Sequence, residues 1–142
     1  MDVTALYEIA KQENIEVMAY PMAENGSMSI MDDHGRCYIG MDNSVRDGDV
    51  QERVHLSHEI GHCVTGSFYN RYAAVDSRLR HENRANKWAI TALIPVEELD
   101  DAVAAGCTEV WDLAERFRVT EDFMKKAVCF YVHGNLAEEL YF

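Results

Sequence analysis

Three side chains within five positions carry the first chemical signal: His58, Glu59 and His62, in the string His58-Glu59-Ile60-Gly61-His62. On a helix, residues four apart share a face and are separated by about 6 Å of axial rise, a span one metal ion bridges. Glu59 then sits beside such an ion rather than on it. The arrangement suits Zn²⁺, which lowers the pKa of a bound water to about 7, with Glu59 as the base that takes its proton. The implied chemistry is hydrolysis of a peptide bond.

A motif this short needs the right local structure around it. Asp49 followed by Glu52 reads as a capping box ahead of a run at helical spacing (Val54, His58, Gly61, His62, Thr65), and Gly66 is a natural stop. The motif therefore falls in mid-helix, where its spacing has metal-binding meaning. A catalytic zinc takes a third protein ligand and leaves one position open. His55 shares the face but lies about 10.5 Å along the axis from His62, too far for one ion to hold both with His58. Cys63 points about 100° around the helix from His62 and is set aside as well.

Downstream, residues 77–94 read as a second helix, capped by Ser77 and ended by Pro95. Glu82, Ala85, Ala89 and Leu93 form a stripe on it, with Asn86 on the same side. Glu82 thus heads an apolar stripe, and a buried carboxylate needs a cation or hydrogen-bond donors. It is the leading third ligand. Asp76 and His81 lie off the stripe and rank below it, and pairing of Glu82 with Arg80 or Arg84 is the bland alternative.

The segment His58 to Gly66, then Glu82-Asn83-Arg84-Ala85-Asn86-Lys87-Trp88-Ala89, then Leu93-Ile94-Pro95, resembles the ImmA/IrrE family of zinc metallopeptidases. The likeness is specific between about residues 54 and 97 and looser elsewhere. It implies His58, His62 and Glu82 as zinc ligands of a gluzincin-like set, Glu59 as catalytic acid/base, and a narrow target, commonly a helix-turn-helix repressor of a mobile element or stress regulon. Two positions depart from the pattern. Ser67 stands where many relatives have a further histidine, which puts an outer-shell contact in question, and Trp88 stands where phenylalanine is usual.

The supporting elements follow from pattern. Residues 3–13 read as a helix with Leu6, Ile9 and Ala10 inward, leading into an extended stretch through Val17 and Tyr20. Ser27 to Met31 and Cys37 to Met41 flank Asp33-His34-Gly35-Arg36 as a hairpin. Zinc peptidases of this general type take substrate as an added strand on a sheet edge. Tyr38, Ile39 and Gly40, on the strand leading to the motif helix, are the candidate cradle, with mere core cover as the equal alternative. Tyr69, Tyr72, His81 and His133 are candidates for stabilising the oxyanion. Thr108 to Phe117 and Thr120 to Tyr131 read as two helices resembling a helix-turn-helix. The expected fold is α+β: a small antiparallel sheet on two metal-bearing helices, minimal zincin-like, as one domain over 1–142.

Composition limits the partners. With 13 basic against 25 acidic residues the net charge is −12, which opposes phosphate backbones, so the C-terminal pair reads as a packing unit rather than a DNA reader. No apolar run suggests a membrane span, and the start of the chain lacks the features of a signal peptide, so a cytoplasmic protein is expected. The four cysteines form no CxxC pair and are expected as free thiols. Two functions compete. One is an endopeptidase cleaving a repressor; the other is a non-hydrolytic anti-repressor whose zinc is structural.

Overall fold

The computed structural model describes residues 1–69, 74–134 and 136. In order they form α1 (Val3–Gln12), β1 (Glu16–Ala19), β2 (Ser27–Met31), β3 (Cys37–Met41), a 3₁₀ turn (Asn43–Val45), α2 (Val50–Thr65), α3 (Val75–Leu93), α4 (Val96–Ala104), α5 (Val110–Phe117) and α6 (Glu121–His133). The class is α+β. α4, which sequence pattern did not reveal, starts directly after Pro95 and buries Leu99 and Ala102.

The sheet is mixed, not antiparallel as expected. Its order is β1-β3-β2, with β1 parallel and β2 antiparallel to β3. The hairpin forms as its turn residues dictate, with Gly35 at φ +81°. β1 cannot join the hairpin's far side by a tight turn; residues 20–26 carry the chain across, and β1 pairs with the remaining edge of β3. This makes β3 the central strand. Tyr38, Ile39 and Gly40 are therefore bonded on both sides, against β1 and β2, and offer no edge to a substrate strand. The free edge next to α2 is β2.

One face of the sheet supplies Ile39 and Met41 to a core completed by Leu6, Leu56, Ile60, Ile90, Ile94 and Met124. α2 crosses this core with polar groups buried among the apolar ones: Glu52, Arg53, Ser57, Glu59 and His62. Such groups persist only when partnered. Glu52 accepts from Tyr7 Oη at 2.5 Å and from the Gly48 amide at 2.9 Å. Burial and this carboxylate push the Tyr7 pKa to about 12. Arg53 donates to the Met1 carbonyl at 3.0 Å, to the Phe117 carbonyl at 2.8 Å and to that of Arg118. It locks the motif helix to the chain start and to the α5–α6 turn, whose Arg118 adopts φ +55° and pairs back with Asp49. α6 packs on α3, and the α5–α6 turn is bonded to Arg53 of α2.

The start of α2 is fixed differently from expectation. Asp49 makes no capping bond. Asp47 does the work, its carboxylate accepting the amides of Asp49, Gln51 and Glu52. Burial pushes Asp47 up, but those amides outweigh it and hold its pKa below the usual value. Asp42, which caps the preceding turn, is held at about 2 by the Ser44 hydroxyl and the amides of Met22 and Ser44. Folded pKa values below the unfolded value near 3.8 mean stability that is full above about pH 4 and lost as pH falls toward 2. Urea midpoints should drop over that window, and drop less in the Asp42→Asn, Asp47→Asn double variant.

Four free thiols are not what the fold contains. Cys37, opening β3, and Cys63, on α2, form a disulfide, with their Cα atoms 5.9 Å apart; Cys107 and Cys129 are buried and lie outside any disulfide. Their separation of 26 in sequence hid the pairing, which only the packing of β3 on α2 creates. Thiol titration of denatured, unreduced protein should count two cysteines and reduced protein four. Loop-closure entropy for this separation predicts a loss of about 3 kcal/mol of stability on reduction, measured by denaturant unfolding.

Candidate metal centre and active-site groove

α2 and α3 meet at Gly61. A Cβ there would lie 2.5 Å from the Ala85 carbonyl oxygen and 3.0 Å from its Cα, so only glycine permits the contact. One helical turn from Ala85, the approach delivers Glu82 between the two imidazoles. His58 Nε2 lies 2.9 Å from Glu82 Oε2, and His62 Nε2 lies 3.2 Å from Glu82 Oε1. The His58 and His62 rings meet edge-on with centroids 4.8 Å apart. One donor atom from each of the three residues falls within 4.8 Å of the others, a group that could hold a metal ion.

The remaining ring nitrogens are held as those of metal-ligating histidines are, each by an acceptor of its own. His58 Nδ1 lies 2.8 Å from Asn86 Oδ1, and His62 Nδ1 lies 2.5 Å from the Ser67 carbonyl. Both partners are acceptors, so each Nδ1 donates its hydrogen to them, which leaves each Nε2 as the ring atom that faces Glu82 and that would be offered to an ion held there. Two imidazoles and a carboxylate are also the donor types that open, catalytic zinc sites use. Ser67 contributes to the site through its main chain, whose carbonyl holds His62 Nδ1.

The electrostatics follow. Burial would raise Glu82, but hydrogen bonds from His58 and His62 outweigh it and hold its carboxyl far below the usual range. Burial lowers His62, yet Glu82 and the Ser67 carbonyl raise it more, for a net upward shift. His55, outside the three-residue group, is half-buried beside the strand and shifted down, first by loss of water.

These side chains line an open groove of about 1120 Å³. α2 and α3 form its floor with His58, Glu59, His62, Glu82 and Asn86. β2 forms one wall with Ser27, Met28 and Ser29, and the start of α6 forms the other with Thr120, Asp122, Phe123 and Lys126. Glu59 is buried, and its oxygens accept hydrogen bonds from β2 rather than from the three-residue cluster.

The structure distributes the remaining candidates unevenly. Tyr69 lies in the groove and donates to Glu82 Oε1 at 2.8 Å. His81 turns Nδ1 to the Ser77 carbonyl, and His133 ends α6; neither lines the groove. Tyr72 and the side chain of Asp76 lie outside the described residues. Ser27 and Ser29 were missed because a serine in a short strand looks like cover. The signal available in sequence was their alternation, which puts two hydroxyls on one face.

The chain matches the IrrE N-terminal-like domain, a peptidase family, over residues 10–128. It belongs to this family. The match spans both metal-centre helices, the sheet and most of α6, and makes the protein a metallopeptidase of the ImmA/IrrE type. No curated protein matches the chain.

The Gly61 contact can be tested directly. Gly61→Ala should destabilise by about 1–3 kcal/mol, as overpacking does, and should also weaken metal binding, because separating α2 from α3 withdraws Glu82 from both imidazoles. Denaturant unfolding and metal titration report the two effects. A variant that binds metal as the parent does would show that the helix approach does not set the site.

Proposed function

We propose that the protein is a zinc-dependent endopeptidase that hydrolyses a specific regulatory protein. The observation that carries the proposal is the placement of Glu59: it shares the groove with His58, His62 and Glu82 yet is oriented by the sheet edge, which a structural metal site has no need of. His58, His62 and Glu82 would hold the ion, and zinc, when bound, polarises the scissile carbonyl and acidifies water. Glu59 takes the proton from the attacking water and returns it to the leaving amine. Tyr69 is the groove hydroxyl best placed to donate to the developing oxyanion once substrate is bound.

The free edge of β2 receives the substrate in extended form. The family suggests as target a helix-turn-helix repressor of a mobile element or stress response. A net charge of −12 favours a basic segment of such a DNA-binding protein through electrostatic attraction. The site of action would be the cytoplasm, where repressors are found; among the described residues no helix is long and apolar enough to cross a membrane.

Glu59→Gln should retain about one zinc per chain and still capture its target from lysate, while hydrolysis falls by about 10²- to 10⁴-fold, the usual share of a general base. Glu82→Ala should lose the metal as well. Inactivation of the captured target by Glu59→Gln as effectively as by the parent would instead establish a non-hydrolytic anti-repressor.

A further inference from the structure

The general-base candidate is gripped by the edge strand. Ser27 Oγ donates to Glu59 Oε2 at 2.7 Å and Ser29 Oγ to Oε1 at 2.9 Å, so both carboxylate oxygens are tied to alternate residues of β2. Behind Ser27, His55 Nδ1 lies 2.8 Å from the same hydroxyl. A hydroxyl has one proton, and an ionised carboxylate only accepts. Ser27 therefore gives its proton to Glu59, and His55 must donate from Nδ1–H to Ser27. Space for the imidazole comes from Gly26, at φ +77°, where a Cβ would stand 2.7 Å from Val45 Cγ1 and 3.2 Å from His55 Cε1.

The backbone of the same two serines faces the other way. In an antiparallel ladder only alternate residues turn their N–H and C=O to the partner strand. The Asp42 amide bonds to the Gly26 carbonyl and the Asp32 amide to the Arg36 carbonyl, at the two ends of the β2–β3 pairing. In this register Met28, opposite Gly40, and Ile30, opposite Tyr38, belong to the set bonded to β3. Ser27, Ser29 and Met31 belong to the alternate set, whose backbone groups point to the free edge.

We propose that Ser27 and Ser29 are positioning residues for Glu59, so that the strand on which substrate docks also aims the base, with His55 fixing the direction of the Ser27 hydroxyl. The proposal rests on the peptidase reading above. A peptide added to β2 bonds to the same residues whose side chains hold the carboxylate. Its register relative to Glu59 is thereby set locally, without relying on the more distant loops.

The test uses the full chain, zinc-loaded, on a quenched-fluorescent peptide library, with the best-cleaved member taken for kinetics. The Ser27→Ala, Ser29→Ala double variant should lose about 10- to 100-fold in kcat, the range typical of outer supporting contacts, while KM and zinc content stay as in the parent. Ser27→Thr with Ser29→Thr should recover most of the loss, since threonine keeps the hydroxyl and suits a strand. Independently of metal and activity, long-range ¹H–¹⁵N spectra should show His55 as the Nδ1–H tautomer in the parent and as a mixture in Ser27→Ala. A parent that cleaves the library beside an alanine double variant with unchanged kcat overturns the proposal. So does a rise in KM that accounts for the whole loss. If the parent cleaves no member, the peptidase reading fails and the catalytic role fails with it. An unchanged His55 tautomer refutes the His55–Ser27 link while leaving the peptidase reading standing.

Discussion

The approach of α2 to α3 at Gly61 is the constraint on which the centre depends. Two histidines at i and i+4 can be written onto any exposed helix, but a third donor from another element reaches them only if the two backbones come close. The Ala85 carbonyl sits where a Cβ of residue 61 would be, so the absent side chain brings Glu82 to 2.9 and 3.2 Å from the imidazoles. Ala85 and Ala89, both fully buried, extend the same small-residue stripe along α3. The apolar stripe that Glu82 heads is therefore a close-packing surface first, and Glu82 meets the two histidines as a result.

A helix that presents chemistry on one side and still sits in the core must satisfy many polar groups. α2 does this residue by residue. Glu52 is matched to Tyr7 and Gly48, Arg53 to three main-chain carbonyls, Glu59 to two serines, and His62 to the Ser67 carbonyl. Each bond runs to a different part of the chain, so the motif helix is fixed in rotation and in translation. Removing one partner would leave the other buried and unpaired, which costs far more than the net worth of the bond. The α5 terminus takes part in this: the turn between α5 and α6 offers two carbonyls to Arg53.

What was legible in the sequence was local or periodic. The motif helix and its Gly66 stop, the α3 stripe with Glu82, and the hairpin around Gly35 all follow from spacing within one element. What was hidden depends on how elements meet. The pairing of Cys37 with Cys63, the β1–β3 pairing that makes β3 central, and the Ser27–Glu59 contact each join residues at least 22 positions apart. The sheet was expected to be antiparallel because only the hairpin is local, whereas the crossing at residues 20–26 puts β1 parallel to β3 on its far side. The cap of α2 was misread for a smaller reason: Asp47 and Asp49 are both plausible, and only the loop conformation lets Asp47 gather three amides. α4 escaped notice because its nine residues bury only Leu99 and Ala102, too few to set a period.

The sheet and the motif helix behave as one unit because they are joined at two places. The Cys37–Cys63 disulfide fastens β3 to the turn of α2 that carries His62, and the two serine bonds fasten β2 to the turn that carries Glu59. β2 and β3 are themselves paired along five residues each. A closed loop of constraints results: the His62 turn to β3, β3 to β2, β2 to the Glu59 turn, and back along α2. In such a loop the edge that would receive a substrate cannot shift relative to the histidines without breaking a covalent bond, a ladder or a buried hydrogen bond. A three-stranded sheet of four- and five-residue strands would be marginal alone. Here its rigidity is borrowed from the helix it serves.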